Sequence, residues 1–284
     1  MSTRHRPPAA PPTTAHRVTT VRDGRVVEAD DVLAGEEPLQ IRAAGPGQDP
    51  VDVAVTLRTP GHEAELAVGF LHAEGLLAPG EVAGVEHGDP LLLARPDDTV
   101  TVRLTRPLDT AAIAARRSAA TAACGVCGKA SIEDVEVRCP PLVHDGSRLA
   151  WTVLAGLPDR LREHQEVFAA TGGLHAAATA TPDGELEVVR EDVGRHNALD
   201  AVVGAHLLAG QLPLHGRVLV LSGRIGFELV QKAALAGLGL VIAVGAASDL
   251  AVRTAEALGL TLVGFVRDGN ATIYTGAHRL DLDT

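Results

Sequence analysis

Three short apolar runs in the second half of the chain constrain its fold most strongly. They span residues 217–221, 238–244 and 260–266, and helical patterns lie between them at 226–236 and 248–258. Apolar runs of this length predict buried strands, whereas the longer periodic segments predict helices. Strands that alternate with helices are typical of layered α/β domains. We therefore expect an α/β sheet with helices packed against it.

The predicted α/β domain extends over residues 149–284. Upstream of the three runs, the sequence predicts one helix over 154–168, two strands at 174–181 and 186–190, and a helix over 197–208. Pro182-Asp183-Gly184 is a turn signal between those two strands. A short strand at 271–274 is expected to end the domain.

The first part of the chain predicts a smaller α+β domain over residues 17–107. Asp23-Gly24 stands between β-branched runs at 16–33 and indicates a hairpin. Thr59 and Pro60 are typical of a helix start, and Gly75 of a helix end. Within this domain, further strands are predicted at 36–42, 51–58, 91–93 and 99–104. Residues 1–16 are expected to form a disordered, proline-rich leader, and residues 108–148 a linker helix with the cysteine loop.

Charge and composition narrow the function classes. The 284 residues carry a net charge of -11, which argues against nonspecific nucleic-acid binding, because that requires a basic surface. The longest apolar run, 233–247, is interrupted by glycines and is too short to span a membrane. No targeting signal is visible, and three cysteines do not make a disulfide framework. We expect a protein of the reducing cytoplasm.

Cys124 and Cys127 form a Cys-Gly-Val-Cys pair whose chemistry has several possible readings. A zinc site needs four ligands, yet there is one such pair, and Cys139 lies 12 residues beyond Cys127. A thioredoxin-like redox pair would follow a strand, whereas an Ala-rich helix is predicted over 109–118. The flanking glycines favour an accessible loop over two buried small hydrophobic side chains. Metal, redox and sulfur chemistry remain open, with sulfur transfer favoured.

A zinc-dependent deaminase would combine His-x-Glu with Pro-Cys-x-x-Cys. The chain has His72-Ala73-Glu74 far upstream and His164-Gln165-Glu166 downstream, in the wrong order. Ala123 stands where the deaminase pattern requires proline. We therefore expect no deaminase chemistry and no bound metal, and a zinc-dependent hydrolase is kept only as an alternative.

The surroundings of the pair suit a reactive thiolate. Nearby cations and a helix N-terminus lower the pKa of a thiol, and Arg116, Arg117 and Lys129 flank the pair. Lys129 and Lys232 are the only lysines in the chain. A second thiol can attack a persulfide and release its sulfur. We expect Cys124 to carry sulfur and Cys127 to assist.

Two polar loops at the ends of predicted strands are candidate ligand sites. Arg224 follows the strand 217–221, and Phe265–Asn270 lies at the end of the strand 260–266. Backbone N–H groups and an arginine can bind an anion there, while Phe265 and Arg267 can stack on a base and pair with a phosphate. The plainer interpretation is a tight turn at Asp268-Gly269. In open α/β sheets, ligands lie beyond the carboxyl ends of the strands.

Other polar residues admit a structural or a functional interpretation. The segment 191–197 is either a solvated helix cap or the wall of a polar pocket. His175 is either a structural histidine or part of the same pocket. Glu228 and Lys232 lie four residues apart and can pair on one helix.

Eight separated stretches of the chain form a recognisable set. They are Cys124-Gly-Val-Cys127-Gly128, Gly172-Gly-Leu-His175-Ala-Ala, Glu191-Asp-Val-Gly-Arg-His196-Asn-Ala-Leu-Asp200, Ser222-Gly-Arg-Ile-Gly-Phe-Glu-Leu-Val-Gln-Lys232, Leu262-Val-Gly-Phe-Val-Arg-Asp-Gly269, Glu36-Glu-Pro38, Thr56-Leu-Arg-Thr-Pro60, and Leu66-Ala-Val-Gly-Phe70 followed by Glu74-Gly75. Together they resemble the formate dehydrogenase accessory sulfurtransferases, the FdhD family. The match runs from about residue 17 to the C-terminus.

The resemblance implies a function and a set of partners. Cys124 would accept sulfur as a persulfide from a cysteine desulfurase and pass it to the bis-guanine-dinucleotide molybdenum cofactor, before the cofactor enters formate dehydrogenase. It further implies a cytidine deaminase-like C-terminal domain, a homodimer, and GDP as a mimic of the cofactor. The alternative is a molybdenum cofactor chaperone without sulfur chemistry. The implied cofactor-binding residues are Phe265, Val266, Arg267, Asp268, Gly269 and Asn270, with Arg224 added from the loop analysis.

Overall fold

A computed structural model describes residues 11–88, 96–110, 113, 139, 141–142, 146 and 148–282. The chain begins with a two-stranded antiparallel hairpin, β1 (Thr13–Arg22) and β2 (Arg25–Ala34), around Asp23-Gly24. Asp23 and Gly24 both have positive φ, as a tight hairpin turn requires. The predicted hairpin is confirmed, but β1 starts at Thr13, inside the segment predicted as a disordered leader.

A four-stranded sheet and one helix form the N-terminal half. The strand order is β4-β3-β6-β5, with β3 parallel to β6 and the other pairs antiparallel. Apolar residues of α1 pack against Leu39, Ile41 and Val102 of the sheet. The sequence missed β5, and the predicted strand 91–93 lies outside the described residues. The elements are β3 (Glu37–Ala44), β4 (Val51–Arg58), α1 (Glu63–Ala73), β5 (Val82–His87) and β6 (Thr99–Leu104).

The predicted role of Thr59 as the cap of α1 is wrong. The helix begins at Glu63, and His62 occupies the cap position without a side-chain hydrogen bond. Thr59 is buried, and its hydroxyl accepts a hydrogen bond from the backbone N–H of Val193, 3.2 Å away. Thr59 therefore joins the two halves of the chain.

The second half is built on a six-stranded sheet in the order β13-β12-β11-β10-β8-β9. β10, β11 and β12 are parallel, as their alternation with helices predicts, and the outer strands are antiparallel. The elements are β7 (Leu149–Ala150), α2 (Trp151–Glu163), α3 (Glu166–Thr171), β8 (His175–Ala180), β9 (Leu186–Asp192), α4 (Arg195–Leu208), β10 (Val218–Leu221), α5 (Phe227–Leu235), β11 (Leu240–Ala243), α6 (Asp249–Leu258), β12 (Thr261–Arg267), β13 (Asn270–Thr275) and β14 (Leu280–Asp281).

Helices cover both faces of this sheet. Alternate strand residues such as Leu219 and Val241 pack against α4, α5 and α6, whereas Val218 and Ile242 pack against α2 on the other face. The predicted α/β fold class is confirmed as a mixed α/β architecture, and the likeness to cytidine deaminases stays a prediction. Within the described ranges, no helix is both long and apolar enough to cross a membrane.

The helix predicted over 154–168 is in fact two helices. α2 ends at Glu163 and α3 begins at Glu166, so the chain turns at His164 and Gln165. Leu154, Leu157 and Leu161 keep α2 on the sheet. Leu161 and Phe168, which one continuous helix would bring to a shared face, therefore belong to different helices.

Helix α4 is buried between the two halves. Leu199 and Val202 belong to the core of the six-stranded sheet, whereas Ala201 and Leu207 belong to the core of the four-stranded sheet. α4 crosses α1 at Gly204 and Gly69. A Cβ on Gly204 would overlap the carbonyl oxygen of Glu65 and would lie 2.9 Å from the backbone nitrogen of Gly69. Only glycine permits this approach of the two helices.

We predict that Gly204→Ala destabilises the fold by about 1–3 kcal/mol, because the added methyl group forces α1 and α4 apart. Gly156→Ala is the matched control, since Gly156 lies within α2 and a Cβ there meets nothing within 4 Å. The control should gain about 0.5–1 kcal/mol from helix propensity. Urea unfolding measures both, and equal stability of the two variants would contradict the close contact.

A buried carboxylate adds a polar joint between the halves. Asp192, at the end of β9, accepts hydrogen bonds from the backbone N–H groups of Thr59 (2.9 Å) and Gly194 (2.7 Å) and from the amide of Asn197 (2.9 Å). Asn197 also donates to the carbonyl of Leu57, 2.7 Å away. Burial raises the pKa of Asp192 to about 6, and the hydrogen bonds offset only part of this effect.

We predict that Asp192→Asn changes how stability depends on pH. Because the folded pKa of Asp192 lies above the unfolded value, wild-type folding is favoured by the bound proton at low pH, and this advantage is lost as pH rises from about 4 to about 6. The stability of wild type minus that of Asp192→Asn should therefore fall by up to about 3 kcal/mol over this window. Urea unfolding at several pH values measures it, and a pH-independent difference would contradict the raised pKa.

Candidate functional site

Three loops meet at the carboxyl ends of the parallel strands. They follow β10, β11 and β12, and backbone hydrogen bonds connect them. The N–H of Gly245 donates to the carbonyl of Gly223 (3.2 Å), and the N–H of Phe265 donates to the carbonyl of Gly245 (3.1 Å). The loops of Arg224 and Phe265 thus lie on one edge of the sheet, as the sequence predicts.

Glycine is required where these loops touch. A Cβ on Gly245 would lie 2.7 Å from the carbonyl carbon of Gly223, and one on Gly264 would lie 2.8 Å from the carbonyl oxygen of Gly245. Side chains at these positions would separate the loops. The glycines therefore bring the backbone groups of three strand ends together.

The predicted cofactor segment, Phe265–Asn270, runs from the end of β12 through a turn into β13. Asp268 and Gly269 have positive φ and connect Arg267 to its pairing partner Asn270. The tight turn expected at Asp268-Gly269 is confirmed. Phe265 also has positive φ and is exposed. Arg267 and Asp268 are both exposed, and their 3.4 Å ion pair is weak in water.

A cavity of about 460 Å³ opens beside these strand ends. Its volume lies in the range of about 300–1,000 Å³ that is typical of small-molecule sites. Of the predicted residues, Val266 and Arg267 line it, whereas Phe265, Asp268, Gly269, Asn270 and Arg224 do not. Ser222 and His175 contribute polar groups, and the opposite wall comes from α2, α3 and the turn between them.

Glu191 fixes the position of α3 in that wall. Its carboxylate accepts hydrogen bonds from the backbone N–H groups of Val167 (2.9 Å) and Phe168 (2.8 Å) at the start of α3. A carboxylate at a helix N-terminus satisfies otherwise unpaired donors and interacts well with the helix dipole. The guanidinium of Arg162 lies 4.3 Å from the centre of the Phe168 ring. Glu191 therefore supports a cation–aromatic pair that lines the cavity.

His175 stands at the start of β8, between the cavity and the charged start of α4. Burial lowers its pKa, and electrostatic interactions with Arg195 and His196 lower it further. The imidazole is therefore neutral near pH 7 and can both donate and accept a hydrogen bond. A Cβ on Gly223 would lie 3.1 Å from its Nδ1 atom, so Gly223 leaves room for the ring.

A second group of charged side chains joins α4 and α5. The Nζ atom of Lys232 donates to both carboxylate oxygens of Asp200 (2.6 and 2.5 Å), and His196 Nε2 lies 2.9 Å from a carboxylate oxygen of Glu228. Burial raises the pKa of Asp200, and the charge of Lys232 opposes this. The pairing expected between Glu228 and Lys232 along α5 is wrong, because each reaches α4 instead.

The segment 191–197 has structural and pocket-forming roles. Asp192 and Asn197 hold the two halves together, and Glu191 supports the cavity wall. Neither a solvated cap nor a direct pocket wall describes it fully. In the sequence, the density of carboxylate and amide groups before α4 indicated these roles. The partners of those groups could not be predicted, because they lie far away along the chain.

The cysteine pair lies outside the described residues. Cys124 and Cys127 fall in the segment 114–138, as do Arg116, Arg117 and Lys129, so their predicted roles stay predictions. Cys139 is described: it is half-buried against the core, and burial raises the pKa of its thiol.

The histidines of the two His-x-Glu motifs contact backbone carbonyl groups. The Nδ1 atom of His72 lies 3.0 Å from the carbonyl oxygen of Leu77, and that of His164 lies 2.9 Å from the carbonyl oxygen of Arg160. In the part of the chain that the structure describes, no three His, Cys, Asp or Glu side chains are placed to hold a metal ion.

Sequence reasoning missed the wall formed by Arg162, Gln165 and Phe168. A single helix over 154–168 would have placed Gln165 and Phe168 on nearly the same face as the buried Leu161, rather than in a wall beside the strand ends. The break after Glu163 redirects α3, and Gly172 then ends it in the left-handed conformation. The apolar pattern of α2 also stops at Leu161, which was a usable signal for an earlier helix end.

Comparisons with known proteins agree on one family. A model described as the FdhD/NarQ family matches residues 34–281. A protein named sulfur carrier protein FdhD from Streptomyces avermitilis is 44% identical over 276 residues, which cover 95% of this chain and 96% of that protein. A protein of the same name from Sulfurisphaera tokodaii is 38% identical over 266 residues, covering 93% and 97% of the two chains.

A solved structure shares the fold. The crystal structure of a candidate formate dehydrogenase accessory protein from Desulfotalea psychrophila aligns with a TM-score of 0.72 and 20% identity, over 95% of this chain and 100% of that one. The family model spans most of the sequence, and the named relatives match over nearly their whole lengths. This chain therefore belongs to the FdhD/NarQ family.

Proposed function

We propose that this protein is a sulfur carrier that prepares the molybdenum cofactor of formate dehydrogenase. It accepts sulfur from a cysteine desulfurase as a persulfide on Cys124. It then transfers the sulfur to the bis-molybdopterin guanine dinucleotide cofactor before the cofactor enters formate dehydrogenase. The family membership and the shared name of the relatives, sulfur carrier protein, support this proposal.

The sulfur steps follow ordinary thiol chemistry. The thiolate of Cys124 attacks the outer sulfur of the desulfurase persulfide, and the sulfur–sulfur bond of the donor breaks with release of the desulfurase thiolate. Cys127 then attacks the inner sulfur, which forms a Cys124–Cys127 disulfide and releases the outer sulfur as hydrosulfide to the cofactor. Two thiols are oxidised and one sulfur atom is reduced, so a cellular dithiol must reduce the disulfide before the next cycle.

The cavity at the strand ends is the observation that supports the second step of the proposal, the transfer of sulfur to the cofactor. It lies at the carboxyl ends of parallel strands, where open α/β sheets bind ligands, and Val266 and Arg267 of the predicted cofactor segment line it. Arg267 supplies a guanidinium for a phosphate group, and Ser222 and His175 supply further hydrogen-bonding groups. Arg224 lies exposed on the same edge and is a second cation for the phosphates.

We predict that Cys124→Ala accepts no sulfur when it is incubated with a cysteine desulfurase and cysteine. Wild type should gain one sulfur atom by mass spectrometry and should activate formate dehydrogenase in a reconstitution assay, whereas the variant should do neither. Cys139→Ala is the matched control, because its thiol is half-buried and its pKa is raised.

A Cys124→Ala variant that still takes up sulfur and activates the dehydrogenase would contradict the persulfide role of Cys124. Full activation by a variant that lacks both Cys124 and Cys127 would favour the cofactor chaperone without sulfur chemistry.

A further inference from the structure

The β1–β2 hairpin is held to the rest of the described chain at its base. There, the N–H of Gly35 donates to the carbonyl of Pro12 (2.7 Å), β2 packs against α3, and Ala34 lies next to Gly173. No residue of 13–34 belongs to the three hydrophobic cores of the described chain. A two-stranded hairpin is at best marginally stable in water unless one of its faces packs against another surface. The hairpin beyond its base therefore presents a surface for a partner.

The two faces of the hairpin differ in how their charges are paired. On one face, Arg17 forms ion pairs with Asp30 (3.1 Å) and Glu28 (3.8 Å). On the other face, Arg22 and Arg25 lie directly opposite each other at the tip, and neither makes an ion pair within the described ranges. Like charges directly opposite on neighbouring strands are destabilising. This second face would therefore gain stability from a carboxylate that a partner supplies.

Along this second face, the side chains change from cationic at the tip to apolar in the middle and acidic near the base. Val27 and Leu33 are each 42% exposed, and the carboxylate of Asp31 makes no ion pair within the part of the chain that the structure describes. From tip to base, the cross-strand pairs are Arg22–Arg25, Thr20–Val27, Val18–Ala29, His16–Asp31 and Thr14–Leu33.

A face with opposite charges at its two ends is complementary to itself when two copies pack antiparallel. A two-fold axis between the second and third cross-strand pairs places β2 of one copy over β2 of the other. Arg25 then lies over Asp31 of the second copy, and Val27 lies over Ala29 of the second copy. A parallel arrangement would instead stack the arginine pairs on each other. We propose that two copies of this chain associate through this face, antiparallel, with Arg25 of each copy paired to Asp31 of the other.

The contact between the two hairpins alone is small. The rows that overlap span about 20 Å along two strands about 5 Å apart, which is far less than the about 800 Å² per partner of a stable interface. The antiparallel arrangement also brings each tip to the base of the other hairpin, where Leu33 is exposed and α3 packs. We therefore expect a dimer that dissociates on dilution, with a Kd of about 1–100 µM.

Sedimentation equilibrium of the full chain, at concentrations on both sides of this range, tests the inference. Wild type should pass from monomer to dimer as its concentration rises. Arg25→Glu and Asp31→Arg each place like charges opposite each other across the contact, so each should weaken association by about tenfold or more. The double variant Arg25→Glu/Asp31→Arg exchanges the two charges and should restore most of the association. A variant that had merely lost its fold would not be restored in this way.

Arg253→Glu is the matched control, because it makes the same change of charge at an exposed position on α6, and it should associate as wild type does. A wild-type chain that stays monomeric throughout would overturn the inference. So would a dimer that tolerates both single variants, or single variants that the double variant does not rescue. If wild type is monomeric and Arg25→Glu loses binding to a cysteine desulfurase, the face serves that protein and not a second copy. Each of these results leaves the proposed sulfur chemistry of Cys124 untouched.

Discussion

The close crossing of α1 and α4 at Gly69 and Gly204 sets the geometry of the whole chain. Because the two helices touch through backbone atoms, α4 can contribute to the cores of both sheets at once. The buried Asp192 joint and the ion pair between Glu65 and Arg190 reinforce this contact with polar groups. The start of α4, with Arg195 and His196, is thereby held next to β8 and the edge where the three loops meet.

This arrangement links the polar segment 191–197 to the cavity, although the segment itself does not line the cavity. Glu191 caps α3 and so positions Phe168, while the next residue, Asp192, secures the N-terminal half. One short segment therefore connects the contact between the two halves of the chain to the cavity wall. The second polar cluster, around Lys232 and Asp200, locks α5 to α4. The close ion pair with Asp200 indicates a structural role for Lys232, which the sequence had singled out only as one of two lysines in the chain.

The sequence predicted much of the fold, because local patterns determined it. The hairpin at Asp23-Gly24, the buried strands of the second half and the turn at Asp268-Gly269 all follow from residue spacing and turn chemistry. The misses involve distant partners: Thr59 bonds to residues more than 130 positions away, and Glu228 and Lys232 pair across helices. The site was predicted only at the strand ends. Its other wall depends on a helix break that brings Gln165 and Phe168 to the cavity.

Under the proposed function, the cavity between the α2–α3 turn and the ends of the parallel strands receives the nucleotide part of the cargo. Amide hydrogen exchange with and without GDP locates the ligand in the unmodified protein. Exchange should slow in residues 162–175 and 264–270 and should not change in the β1–β2 hairpin. Protection confined to other parts of the chain, with both segments unaffected, would contradict it.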